Sequence, residues 1–250
     1  MSLGYRGKEI FKSLKQNGRS FDAAFVVMPY HKIRMAMPQI AQLQTKLLVL
    51  VGNDLAPAAI EADRYVCERF GGSWMDLGQL HGNADPRLKK WTERLFEGTS
   101  YKLNWQENME AYLICHPAAI LPIGYLSYIC GGNLRTSTNE QRRMIVDASH
   151  EAYEALKEKG IPIYPKGDDR FYENGVCGKG MQLLYLIMAK SKIGDLIACE
   201  HCRNAVSEME QIDLFYEELL NDYPSDKLKT WNRLRGMMPP WEELHRKYGS

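Results

Sequence analysis

No surplus of charge of either sign runs through this chain: 32 Lys and Arg stand against 31 Asp and Glu over 250 residues. A protein so nearly neutral has no general field to draw it to nucleic acid or an anionic membrane, and any anionic ligand must be held by a local site. Cysteine is sparse. The six residues, Cys67, Cys115, Cys130, Cys177, Cys199 and Cys202, lack the density of a disulfide scaffold, and most stand in apolar surroundings, which predicts free thiols serving as small hydrophobes. The outer cysteines of "CEHC" at 199–202 have zinc-finger spacing, yet no second CxxC or HxxxH accompanies them, so no metal site is expected. The opening residues lack an apolar run of signal-peptide length, and a reducing cytoplasm is the expected setting. No period of ~20 to 50 residues recurs, which argues against a solenoid. Phosphate-binding glycine motifs are missing as well. The nearest string to GxGxxG, "CGKGMQL" from Cys177, follows a polar loop rather than a strand and lacks the third glycine.

What is present is enough apolar residue, 45%, to bury a sizeable core in one or two domains. The first organised stretch is "RSFDAAFVVMPYHKIRMAMPQIAQLQTKLLVLVGND". Residues 23–28 read as a strand buried on both faces, 32–42 as a helix disturbed by Pro38, and 46–51 as a second buried strand closed by the turn residues "GND". Such a β-α-β unit has parallel strands and a right-handed crossover, and ligands collect beyond the carboxyl ends of its strands. Residues 29–31 and 52–54 are therefore candidates for a site. Alanine and charge over 56–69 predict a helix, and the Gly-, Asn- and Asp-rich stretch 71–86 predicts a domain boundary. A short helix over 88–96 and an extended segment in "TSYKLNWQEN" follow. The remainder reads as helices over 107–130, 137–159, 176–192, 194–221, 225–235 and 240–247, interrupted by the loop "KGIPIYPKGDD".

The helix over 107–130 carries about twenty consecutive residues, 111–130, without Asp, Glu, Lys or Arg. That is barely a membrane span, and Pro117 and Pro122 each remove a backbone donor, which in lipid needs partners from neighbouring spans. A helix apolar all round is expected at the centre of a bundle. Tyr112, His116 and Ile120 lie along one face at i, i+4, i+8 spacing. A histidine there is an ordinary hydrogen-bonded core residue or, with its charge adjustable near neutrality, a proton donor or acceptor.

"DAAFVVMPYHKIRMAMPQIA", "LLVLVGN", "ENMEAYLICHPAAILPIGYLSYICGGN", "EAYEALKEKGIPIYP" and "EHCRNAVSEMEQIDLFYEEL", in that order, resemble the ketopantoate reductase (2-dehydropantoate 2-reductase) family, closest to its divergent members. The long helix carries an E-A-(aromatic)-L-x-x-H signature at Glu110–His116. The resemblance implies a partial Rossmann α/β unit with parallel strands over residues 1–85. An all-α domain of the 6-phosphogluconate-dehydrogenase-like type follows over 86–250. It further implies an NADP-dependent oxidoreductase that reduces a 2-oxo acid such as ketopantoate, on the route to pantothenate, and a homodimer. Relative to the family, about twenty residues precede "FDAAFVVM" where a strand, a glycine-rich turn and a helix are expected, so cofactor binding is expected to be weakened or lost. Residue by residue, Asn53 takes the place of an asparagine contacting cofactor and substrate, with Gly52 beside it on the cofactor. Pro29 replaces a usual basic residue. The general-acid lysine aligns with Tyr112 and the asparagine one turn on with His116, which makes these two the implied catalytic pair. Glu208, with Glu210 as the alternative, takes the place of a substrate-binding glutamate. The other reading of the same residues is a non-catalytic ligand-binding or protein-interaction module derived from the helical domain.

Overall fold

The computed structural model describes residues 2–3, 23–26, 32–34, 46–52, 58–61, 64–67, 73–80 and 82–249. The chain forms two compact units, Met1–Leu113 and Ile114–Ser250.

Unit 1 is built on a five-stranded sheet in the order β1-β2-β3-β6-β7, with β1 Ser2–Leu3, β2 Ala23–Val26, β3 Lys46–Gly52, β6 Ser73–Gly78 and β7 Tyr101–Trp105. The β2 and β3 strands pair in parallel, Ala23 opposite Lys46, as two apolar runs in a β-α-β unit require. Residues 32–34 between them are helical, while the rest of the helix expected over 32–42 lies outside the described residues. The expected helix over 56–69 is not there. In its place β4 Ala58–Glu61 and β5 Arg64–Cys67 form an antiparallel pair, with Ile60 across from Tyr65 and Ala59 across from Val66. The antiparallel backbone pairing outweighs the helical preference of the alanines. The stretch 71–86, expected as a domain boundary, lies inside unit 1 and contains β6, which pairs antiparallel with β3 and parallel with β7. Helix α1, Pro86–Leu95, starts where Asp85 accepts from the Arg87 amide at 2.8 Å and Pro86 takes the first turn, where no donor is needed. Phe25, Leu77 and Leu88 form the buried core, with Trp91 stacked on Phe25 at 5.6 Å.

Helix α2, Met109–Ile129, begins in unit 1 and runs into unit 2. It passes unbroken through Pro117 and Pro122. By length and composition it is the one helix among the described residues able to cross a membrane, but 67% of its apolar window is buried inside the protein, which makes it a core helix. The Ile114 carbonyl accepts the Tyr216 hydroxyl. Around α2 lie α3 Asn139–Glu158, α4 Val176–Lys190, α5 Val206–Leu220, α6 Lys229–Gly236 and α7 Trp241–Tyr248. A capping box between Thr138 and Gln141 starts α3. Glu151 of α3 accepts from the Thr230 and Trp231 amides, both at 2.8 Å, placing a carboxylate at the positive end of α6. The single helix expected over 194–221 is instead a π-helical stretch, Asp195–Glu200, a turn His201–Asn204, and then α5. The Tyr128 hydroxyl donates to the Cys202 carbonyl at 2.8 Å, occupying the acceptor that the Val206 amide would use in a continuous helix.

Candidate functional site

Asp76 is the chemically prominent residue of unit 1. It sits in β6 among apolar neighbours and is buried. A buried carboxylate requires donors, and it has two from the segment entering α2: Gln106 Nε2 donates to Oδ1 at 2.8 Å and the Tyr112 hydroxyl to Oδ2 at 3.1 Å. Backbone bonds hold this segment against the strand, from the Gln106 amide to the Leu77 carbonyl at 2.7 Å and from the Glu110 amide to the Leu80 carbonyl at 3.2 Å. Gly78 makes the approach feasible, because a Cβ there would stand 2.9 Å from that of Met109. On its other side Asp76 is in register with Val51, and Met75 with Gly52. The structure thus ties the expected Tyr112 to Asp76, one position along β6 from the residue opposite the expected Gly52. Tyr112 directs its proton at a carboxylate, an arrangement that fixes the ring and orients the phenol. Asp76 and Gln106 were missed by sequence reasoning. The available signal was a lone acid inside the apolar alternation of "SWMDLG", which a strand would bury.

Asn53, the other cofactor residue expected, lies outside the described residues, as do 29–31. For a nicotinamide nucleotide the fit is partial. Gly52 ends a strand of the parallel pair, with no side chain over the backbone there. No glycine-rich turn exists in the sequence to cradle a pyrophosphate.

Unit 2 contains the remaining candidates. His116 is half-buried on α2, one helical turn beyond Tyr112. Its neighbours in sequence are tied down: Cys115 is buried, with its thiol donating to the Pro162 carbonyl at 3.6 Å, and Pro117 is buried. Burial pushes the Cys115 thiol up to about 11, so it stays protonated and inert. Glu208 is half-buried in the first turn of α5. Glu210, the alternative, pairs with His245 at 2.8 Å between α5 and α7, an arrangement that serves helix packing. Of the two glutamates, Glu208 is the one without such a commitment to α7.

The densest polar cluster of unit 2 is structural. Asp213 on α5 is almost fully buried and accepts from Tyr125 at 2.5 Å, from Arg235 at 2.8 and 2.9 Å, and from Trp241 at 3.1 Å. The carboxylate raises Arg235, and burial followed by the Asp213 charge raises Tyr125 well above its usual range. A cavity of about 190 Å³ opens beside it, lined by Tyr216, Asn221, Tyr223, Trp231 and Asn232 among others, and none of the sequence-derived site residues borders it. Cys199 and Cys202 of "CEHC" are buried, and burial pushes the Cys202 thiol up to about 12.

No protein-family model matches the chain, and no curated protein does. Solved structures do match, across both units. A D-mandelate dehydrogenase in complex with NADH aligns at 11% identity over 92% of this chain and 87% of that one, with a TM-score of 0.56. The 2-dehydropantoate 2-reductase from Geobacter metallireducens GS-15 aligns at 11% identity over 88% and 78%, with a TM-score of 0.57. A PanE/ApbA family ketopantoate reductase from Ralstonia eutropha JMP134 aligns at 10% identity over 97% and 74%, with a TM-score of 0.59. The chain has the fold of the ketopantoate reductases, a Rossmann-like α/β unit followed by a helical one.

Proposed function

We propose that this protein is a nicotinamide-dependent oxidoreductase interconverting a small 2-oxo acid and its 2-hydroxy acid, with a ketopantoate-like substrate and NADPH as the first pair to assay. The observation that carries the reading is a fold shared over most of the chain with enzymes described as D-mandelate dehydrogenase and 2-dehydropantoate 2-reductase. At 10 to 11% identity that likeness speaks for the architecture, and the chemistry rests on the residues.

The nucleotide, when bound, supplies the hydride. The protein must meet the negative charge that grows on the substrate oxygen and deliver a proton to it. His116 is assigned that role, being a half-buried imidazole on the helix where the family places its acid. Tyr112 is assigned to positioning. Its proton is engaged by Asp76, and the bond orients the phenol oxygen and holds α2 against β6. Glu208 is assigned to the substrate's polar end, and Gly52 with Asn53 to the cofactor. General-acid assistance contributes ~10²–10⁴-fold, so a chain with histidine in place of a lysine acid works only if the imidazole reaches the oxygen. Replacing His116 with Ala should abolish NADPH-dependent 2-oxo acid reduction while leaving nucleotide affinity intact. Undiminished turnover removes His116 from the mechanism.

A second reading, a non-catalytic ligand-binding or protein-interaction module, draws support from the lack of a glycine-rich turn and from the engaged phenol. The two part at nucleotide binding: failure of the intact chain to bind NADPH by calorimetry favours the module. Self-association into a homodimer belongs to either reading. A matching structure describes a dimeric ketopantoate reductase from Staphylococcus aureus, aligned at 11% identity over 90% of this chain and 79% of that one, with a TM-score of 0.50.

A further inference from the structure

We draw no further inference here: the strongest candidate, the exposed apolar face of helix α4 carrying Val176, Leu183 and Ile187, supports no proposal because nothing in the structure shows what covers it.

Discussion

Replacing Asp213 with Ala should remove the centre of unit 2. The carboxylate takes hydrogen bonds from three elements: Tyr125 of α2, Arg235 at the end of α6 and Trp241 at the start of α7. Breaking a buried ion pair by deleting one partner costs about 3–5 kcal/mol, because the other charge stays behind uncompensated. Arg235 keeps Glu217 at 3.0 Å and its side chain is 31% exposed, which argues for the lower part of that range from the ion pair alone. The Tyr125 hydroxyl has no such recourse. It is fully buried, and a stranded donor costs about 1–3 kcal/mol more. The expected loss is thus about 4 kcal/mol, a large fraction of the ~5–15 kcal/mol that holds a domain together. Asp213→Asn, which keeps the shape and one acceptor, should lose less. Urea unfolding followed by tryptophan fluorescence reports on the change, because Trp231 and Trp241 both flank the cluster. A shift below about 1 kcal/mol for Asp213→Ala would refute the reasoning, as it would mean that the carboxylate's burial already offset its bonds. A cycle with Arg235→Leu separates the pair's coupling from the cost of the orphaned phenol.

Other consequences follow from the same geometry. Burial raises the Cys115 and Cys202 thiols to about 11 and about 12 from an ordinary 9.0. The unfolded chain therefore releases these protons first, and stability should fall as pH rises above 9, by about 1.4 kcal/mol per pH unit per thiol until the folded values are reached. Denaturant titrations from pH 8 to 11 measure it, with Cys202→Ala flattening the slope. Cys177 is exposed, and peptide mapping after brief alkylation at pH 8 should find it modified ahead of Cys115, Cys199 and Cys202. Tyr112→Phe deletes a donor to a buried carboxylate and should destabilise unit 1 by about 1.5–3 kcal/mol, while lowering turnover far less than His116→Ala. Equal loss of turnover from the two would return Tyr112 to the chemistry. Gly178→Ala forces a Cβ against the Glu173 carbonyl and should cost about 1–3 kcal/mol in thermal or urea unfolding despite the better helix propensity of alanine.

Much of the fold was legible because periodicity reports burial directly. The apolar runs of β2 and β3 are parallel neighbours, and the uncharged helix is the core of unit 2. Where long-range pairing decided the structure, the local signal failed. Residues 58–67 have helical composition but pair Ile60 with Tyr65 across a hairpin, and the polar stretch before Pro86 contains a strand because β3 and β7 are there to receive it. The break before α5 depends on a hydroxyl 74 positions away, Tyr128, taking the Cys202 carbonyl, and no window of sequence contains both. The helix signature singled out Tyr112 and His116 as candidates, whereas Asp76, which fixes what Tyr112's proton does, became visible only when β6 and α2 were seen side by side.

Reduction of a panel of 2-oxo acids, ketopantoate included, by NADPH at 340 nm tests the central claim most directly, with the intact chain and its His116→Ala variant run in parallel and nucleotide affinity of both measured by calorimetry. The account predicts NADPH binding by both proteins, with turnover only in the parent. A chain that neither binds the nucleotide nor consumes it with any 2-oxo acid contradicts the enzyme and leaves the reductase fold in a different employment.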